Sequence, residues 1–410
     1  MADQGAGMKD ELLERFADLV VQVGVNVQPG QGVVVNADLA QAEVARVVVE
    51  RAYVAGASWV EVLWSDGITR RSDLVYGDLA TLTADRPWAL ERTRDWVDEG
   101  IASIALVGTP DPNLYAGIDP ARVAAVRVRE RIARQQAVMS GQWRWTVVAA
   151  PNAGWATQVY GEPDVDRLWD VVARAMRLDE ADPVAAWRER ASALAARCAA
   201  LDALQISELR YVGEGTDLTV GLIDGCRWTG GSVVDPAGIA YMPNIPTEEV
   251  FTSPDRRRAD GVVRLTRPVL IAGQLVEGLQ LTFAAGRITD VKARSGGELV
   301  RAELDTDEGA RSLGEVALVD EESRVAQADV VFHNTLFDEN AGSHIAWGQS
   351  FPFALDGGTE LTADERYARG LNNSSVHTDV VLGGEGLSVT ATTPGGPVDL
   401  LKADTWQLDC

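Results

Sequence analysis

Histidine and cysteine are scarce in this 410-residue chain, at three residues each, and each shortage excludes something. Cys198, Cys226 and Cys410 form no paired spacing and no CxxC motif, which excludes a disulfide framework and a thiolate zinc site and argues against a thiolate nucleophile. Basic residues are also in deficit: 37 Lys and Arg stand against 61 Asp and Glu, for a formal charge of -24. That charge repels phosphate backbones and anionic lipids, so nucleic acid is not an expected partner, and the acidity reads as solubilising. No apolar run approaches the roughly 20 residues that a membrane helix needs. No GxGxxG or GxxxxGK[ST] loop joins a strand to a helix, which leaves nucleotide binding without support. The start, MADQGAGMKDELLERF, lacks the basic, apolar and small-residue succession of a signal peptide, and the expected compartment is the cytoplasm.

What is present suggests two domains, since 410 residues exceed what one core usually organises. In residues 1–203, helical spacing at Leu12–Val23, Ala42–Ala55, Trp88–Glu99 and Pro120–Met139 alternates with strand-like runs. Those runs are Gly32–Asn36, Ser58–Trp64, Ile101–Val107 and Trp143–Ala149, and the alternation predicts an α/β domain with a largely parallel sheet. Two helices, Asp164–Met176 and Pro183–Leu201, then bridge towards the second domain, the latter opened by Asp182 as N-cap with Pro183 in its first turn. In residues 204–410, short β-branched runs separated by glycine turns predict a β-rich α+β domain, a barrel or a sandwich. They fall at Leu209–Val212, Asp217–Leu222, Val262–Leu265, Val269–Ile271, Leu279–Phe283 and Arg287–Val291. Helical pieces are expected at Gly297–Asp305 and Glu321–Ala326.

The polar constellations all fall in the second half. All three histidines lie there, His333 and His344 in HNTLFDENAGSH and His377 in NNSSVHTD, each beside carboxylates, which invites a metal site. His377 and Asp379, separated by one residue, would project from the same face of a strand. Glu315 interrupts the apolar run of SLGEVALVD, where a carboxylate must be paired, metal-bound or on a wet face. Glu248 and Glu249 are adjacent in PNIPTEEVFTSPD; on extended backbone they face opposite ways, and a solvated acidic turn is the plain alternative. His333 reads as a supporting or capping residue rather than a ligand, and Asp338, Glu339 and Asn340 as groups that orient His344 or satisfy the loop backbone.

PTEEVFT, LGEVAL, HNTLFDENAGSHIAWG and NNSSVHTD, in this order and spacing, resemble the motif set of the M29 metalloaminopeptidases, the aminopeptidase T and aminopeptidase S group. Weaker similarity runs back to VNVQPGQGVVV. The resemblance implies a metal site in the second domain with Glu249, Glu315, His344, His377 and Asp379 as ligands. Five hard or borderline donors exceed what one catalytic zinc usually takes, so two divalent ions, Zn²⁺, Co²⁺, Mn²⁺ or Mg²⁺, are expected, with Glu249 bridging. Glu248 is expected to act as the catalytic base. The resemblance further implies short peptides with free N-termini as substrates and a homodimer. One departure stands out: the family's tyrosine after the AGSH histidine is replaced by Phe351, which can neither ligate nor donate a hydrogen bond. A mononuclear ring-cleaving dioxygenase of related fold and a non-catalytic peptide-binding dimer are the alternative readings.

Overall fold

A computed structural model of the chain describes residues 2–84, 86–108, 111, 114–119, 122, 143–271, 274–384 and 386–408. Apart from Arg122, the helix expected over Pro120–Met139 lies outside these residues, as does the terminal Cys410. The chain forms two compact units, one of Met1–Glu189 with Ser232–Ile245, the other of Arg190–Gly231 with Pro246–Cys410. The division falls within the helix Pro183–Ala203 rather than at its end.

The first unit carries a five-stranded sheet in the order Trp59–Ser65, Gly32–Asp38, Ala102–Val107, Trp145–Ala149 and Asn244–Ile245. Every pairing in it is parallel. Gly32–Asp38 is paired on both edges, and Val33, Val34 and Val35 are fully buried. That is why this strand reads as a continuous apolar run instead of an alternation. The last strand belongs to the 232–245 excursion and is two residues long, too short for a run of apolar residues to announce it. The first helix, Ala2–Leu19, continues into a π-turn at Val20–Gly24 and buries Leu13, Phe16, Ala17 and Val20 on one stripe. Asp182 caps Pro183–Ala203 by accepting from the Ala185 amide at 3.0 Å, as its sequence predicts. Three short helices went unread: Gly67–Tyr76, Leu79–Thr83 and Ala153–Tyr160. Each has an Asp or Asn cap, namely Asp66, Asp78 and Asn152, so the signal for them was the cap and not the apolar period.

The second unit is built on two antiparallel sheets. The larger has eight strands and two free ends, running from Arg287–Lys292 at one edge to Thr405–Trp406 at the other. The smaller has four, ordered Val250–Thr252, Leu313–Leu318, His344–Gly348 and His377–Val381. One core joins them: Leu209, Tyr211 and Val220 of the larger sheet pack in the same cluster as Val316, Trp347 and Val380 of the smaller. Of the two architectures expected, barrel and sandwich, layered sheets match the second. The helical pieces appear at Gly297–Leu304 and Arg324–Gln327. No helix among the described residues is long and apolar enough to cross a membrane.

Candidate metal centre

The four-stranded sheet sorts its side chains by the period of two. Glu315 pairs with Ala346 and Ala346 with Asp379, while His344 pairs with Ala317 and Gly348 with His377. Paired residues share a face, so Glu315, His344, His377 and Asp379 all project to one side, and Glu249, two before Phe251 on the edge strand, adds to it. Between them on that face stand Ala317, Ala346 and Gly348, whose small size leaves room above the sheet. The opposite face carries Val316, Ile345, Trp347 and Val380 into the core. A register shift between Leu313 and Glu315 marks a bulge at Gly314. A Cβ there would stand 2.3 Å from the Gln349 carbonyl oxygen, so the bulge that aims Glu315 requires glycine.

Two overlapping groups of potential ligands result, Glu249 with Glu315 and His344, and Glu315 with His377 and Asp379. His344 Nε2 lies 2.9 Å from Glu249 and 3.9 Å from Glu315. His377 Nε2 lies 3.1 Å from Glu315 and 3.4 Å from Asp379. Ions bonded to nitrogen and oxygen at about 2.0–2.2 Å set neighbouring ligand atoms roughly 3–3.5 Å apart; the edges to Glu249, Asp379 and from His377 to Glu315 are close to that, and the 3.9 Å edge from His344 to Glu315 is wider. The rings are oriented for it as well. His377 Nδ1 meets the Gln349 carbonyl oxygen at 2.7 Å and His344 Nδ1 that of Gly342 at 3.3 Å, which turns each Nε2 towards the carboxylates. The carboxylate common to both groups is Glu315, and not Glu249, to which the resemblance gave the bridging place.

The electrostatics agree with a cation site. Burial pushes Glu315 up to about 7, with Asp379 and Glu249 adding to the rise against the opposing pull of His377. Burial disfavours a charged His344, yet the hydrogen bond and charge of Glu249, with Glu315 and Asp379, outweigh it and raise the ring to about 10. His377 is raised well above its ordinary value in the same way, against its own burial, by Asp379 and Glu315. Glu339 is also drawn in: burial, then the charges of Asp379 and Glu249, hold its carboxyl well above the usual range. Crowded carboxylates with little solvent around them are the setting in which positive charge is favoured.

Glu248 points elsewhere. It is fully buried, with its carboxylate 2.7 Å from Arg190 of the helix Pro183–Ala203, and it is in neither ligand group. Its amide donates to Asn340 Oδ1 at 2.5 Å, and Asn340 Nδ2 donates to the carbonyls of Pro246 and Leu336. Asn340 therefore ties the segment bearing Glu248 and Glu249 to the loop that leads into His344. Asp338 serves the loop backbone, accepting from the amides of Phe332 and Asn334 at 2.8 and 3.0 Å. His333, at a φ of 51°, lines a small pocket with Asp338, Glu339 and Asp379 and belongs to neither ligand group. Burial lowers its pKa.

Other supports lie outside the motifs. Asp307 accepts from the hydroxyls of Ser374 and Ser375 and from the Ser375 amide at 2.7–2.8 Å, fixing the turn before His377. Glu303 accepts from Trp347 Nε1 and Thr378 Oγ1, both at 2.9 Å, on the far face of the sheet. Arg190, Asp307 and Glu303 escaped the sequence reading because nothing local distinguishes them from solvated charges. Phe351 lies against one of the potential ligands, its ring 5.0 Å from that of His377.

Comparison with known proteins accords with this arrangement. The family profile described as thermophilic metalloprotease (M29) matches residues 9–404. Aminopeptidase T of Thermus aquaticus is 40% identical over 404 residues, covering 97% of this chain and 98% of its own length. Aminopeptidase 2 of Geobacillus stearothermophilus is 36% identical over 405 residues, with the same shares. The structure of wild-type AmpT from Thermus thermophilus superposes with a TM-score of 0.90 at 37% identity, covering 97% of this chain and all of that one. With the profile spanning nearly the whole sequence and relatives matching end to end, the chain belongs to the M29 family of metalloproteases.

Proposed function

We propose that the protein is a metal-dependent aminopeptidase that removes N-terminal residues from short peptides with two divalent ions, Zn²⁺, Co²⁺, Mn²⁺ or Mg²⁺. The observation that carries this is the pair of ligand groups on one sheet face with Glu315 in both. Glu249, Glu315, His344, His377 and Asp379 would hold the ions. Bound there, such ions supply Lewis acidity and an activated water at neutral pH. The residues do the rest. His344 and His377 are presented by backbone carbonyls at Nδ1, and Glu315 serves both groups. Asp379 keeps the surroundings negative, which favours the free ammonium group of a peptide over a blocked one. The resemblance gives Glu248 the role of accepting the proton of the attacking water and returning it to the leaving amine; its carboxylate faces Arg190 at 2.7 Å, so that role requires the side chain to turn towards the ions. The second unit is then the catalytic domain. A cytoplasmic homodimer completes the proposal. The comparisons favour neither the ring-cleaving dioxygenase nor the non-catalytic dimer.

Glu248→Gln is expected to keep its full complement of metal and lose turnover by about 10²-fold or more, the scale of a general base. Metal analysis with kcat on a free dipeptide checks it. Full activity in that variant removes Glu248 from the chemistry.

A further inference from the structure

The chain has seven phenylalanines. Phe16, Phe283, Phe332 and Phe337 are buried at 0–3% exposure, where an apolar ring belongs. The remaining three, Phe251, Phe351 and Phe353, escape full burial, and they are together. Phe351 stacks on Phe353 at 5.2 Å and meets Phe251 edge-on at 5.5 Å, while Phe251 and Phe353 are 6.3 Å apart. Phe353 is 40% exposed, and none of the three belongs to the large core of this unit. The shelf they form is continuous with the candidate centre. Phe251 shares the sheet face of Glu315 and His344 through its pairing with Ala317, and Phe351 lies against the His377 ring.

An aminopeptidase attacks the carbonyl carbon of the first residue, so that residue's side chain branches one bond from the reacting atom and must lie beside the ligands. A phenyl shelf touching one of those ligands offers apolar area and no hydrogen-bonding group there. We propose that Phe251, Phe351 and Phe353 receive the side chain of the substrate's N-terminal residue, and that the protein selects peptides beginning with a large apolar or aromatic residue. This rests on the aminopeptidase reading above. Phe351 contributes through the lack of a hydroxyl: the ring presents carbon throughout, which disfavours a charged or small polar first residue.

The test compares kcat/KM for Phe-, Leu-, Ala-, Gly- and Lys-p-nitroanilide in the wild type, Phe353→Ala and Phe353→Leu. In parallel, saturation-transfer NMR follows L-phenylalaninamide and L-alaninamide on metal-stripped protein. The wild type is expected to favour Phe over Ala by about 10–200-fold. Phe353→Ala narrows that ratio about tenfold, chiefly through KM, and Phe353→Leu retains most of it. Saturation transfer to phenylalaninamide exceeds that to alaninamide and falls in Phe353→Ala. Cleavage with a flat profile overturns the shelf and leaves the aminopeptidase standing. No cleavage with any metal, but transfer that depends on Phe353, overturns the aminopeptidase and supports the shelf as an apolar binding surface. Unchanged selectivity in Phe353→Ala with a shift in sedimentation towards monomer overturns the proposal, since the shelf is then a contact between copies.

Discussion

Removing the arginine behind Glu248 is the perturbation whose size follows most directly from the structure. Arg190 and Glu248 are 2.7 Å apart, with side-chain exposures of 12% and 0%. At an effective dielectric of about 20 the Coulomb attraction at that distance is about 6 kcal/mol. Desolvating the two ions costs several kcal/mol each, so the pair as a whole contributes little. The asymmetry appears when one partner goes. Arg190→Met takes this cation from a fully buried carboxylate and is expected to cost about 3–5 kcal/mol, whereas Arg190→Met with Glu248→Met removes both charges and is expected to cost less than the single change. Urea unfolding of the four proteins in the cycle, followed by tryptophan fluorescence, gives the coupling. If Arg190→Met lies within about 0.5 kcal/mol of wild type, as a surface substitution would, the buried pair and the orientation of Glu248 derived from it are wrong.

Because Glu315 is the member common to both ligand groups, Glu315→Gln is expected to abolish retention of both ions, whereas Glu249→Gln and Asp379→Asn each weaken one; metal content after dialysis distinguishes them. Asp307 accepts hydrogen bonds from Ser374, Ser375 and the Ala310 amide, and although burial opposes it these hold its carboxyl below the ordinary value. A depressed folded-state pKa means that the stabilisation is full above the unfolded value of about 3.9 and is lost as pH falls through the lower folded value. Asp307→Ala is therefore expected to cost about 1–3 kcal/mol at neutral pH, with the difference from wild type shrinking in acid; urea titrations at neutral and acid pH check the sign.

Much of the centre was legible because strands translate sequence spacing into faces. His377 and Asp379, two apart, do share a face and stand 3.4 Å from each other. Glu315 was conspicuous as a charge inside LGEVAL, and it is buried in contact distance of both histidines. Glu248 and Glu249 diverge as extended backbone requires, one to Arg190 and the other to His344. The rest depended on contacts far apart in the chain. Arg190 and Glu248 are brought together by folding alone, Asn340 reaches back to Pro246 and Glu248, and the bulge at Gly314 that lets Glu315 be shared has no local signature beyond one glycine. In the first unit the strand Gly32–Asp38 was plain from its valines, whereas Asn244–Ile245 joins the same sheet from a distant stretch and carries only two residues of pattern.

The central claim is that metal held on this sheet face cleaves peptides from a free N-terminus. Chelator-stripped protein, reloaded in turn with Zn²⁺, Co²⁺, Mn²⁺ or Mg²⁺, can be given one peptide with a free N-terminus and the same peptide N-acetylated, while bound metal is counted. The account predicts release of the first residue from the free peptide alone, restored in step with uptake of a second ion per chain. Equal cleavage of the acetylated peptide, or full activity without metal, would contradict it.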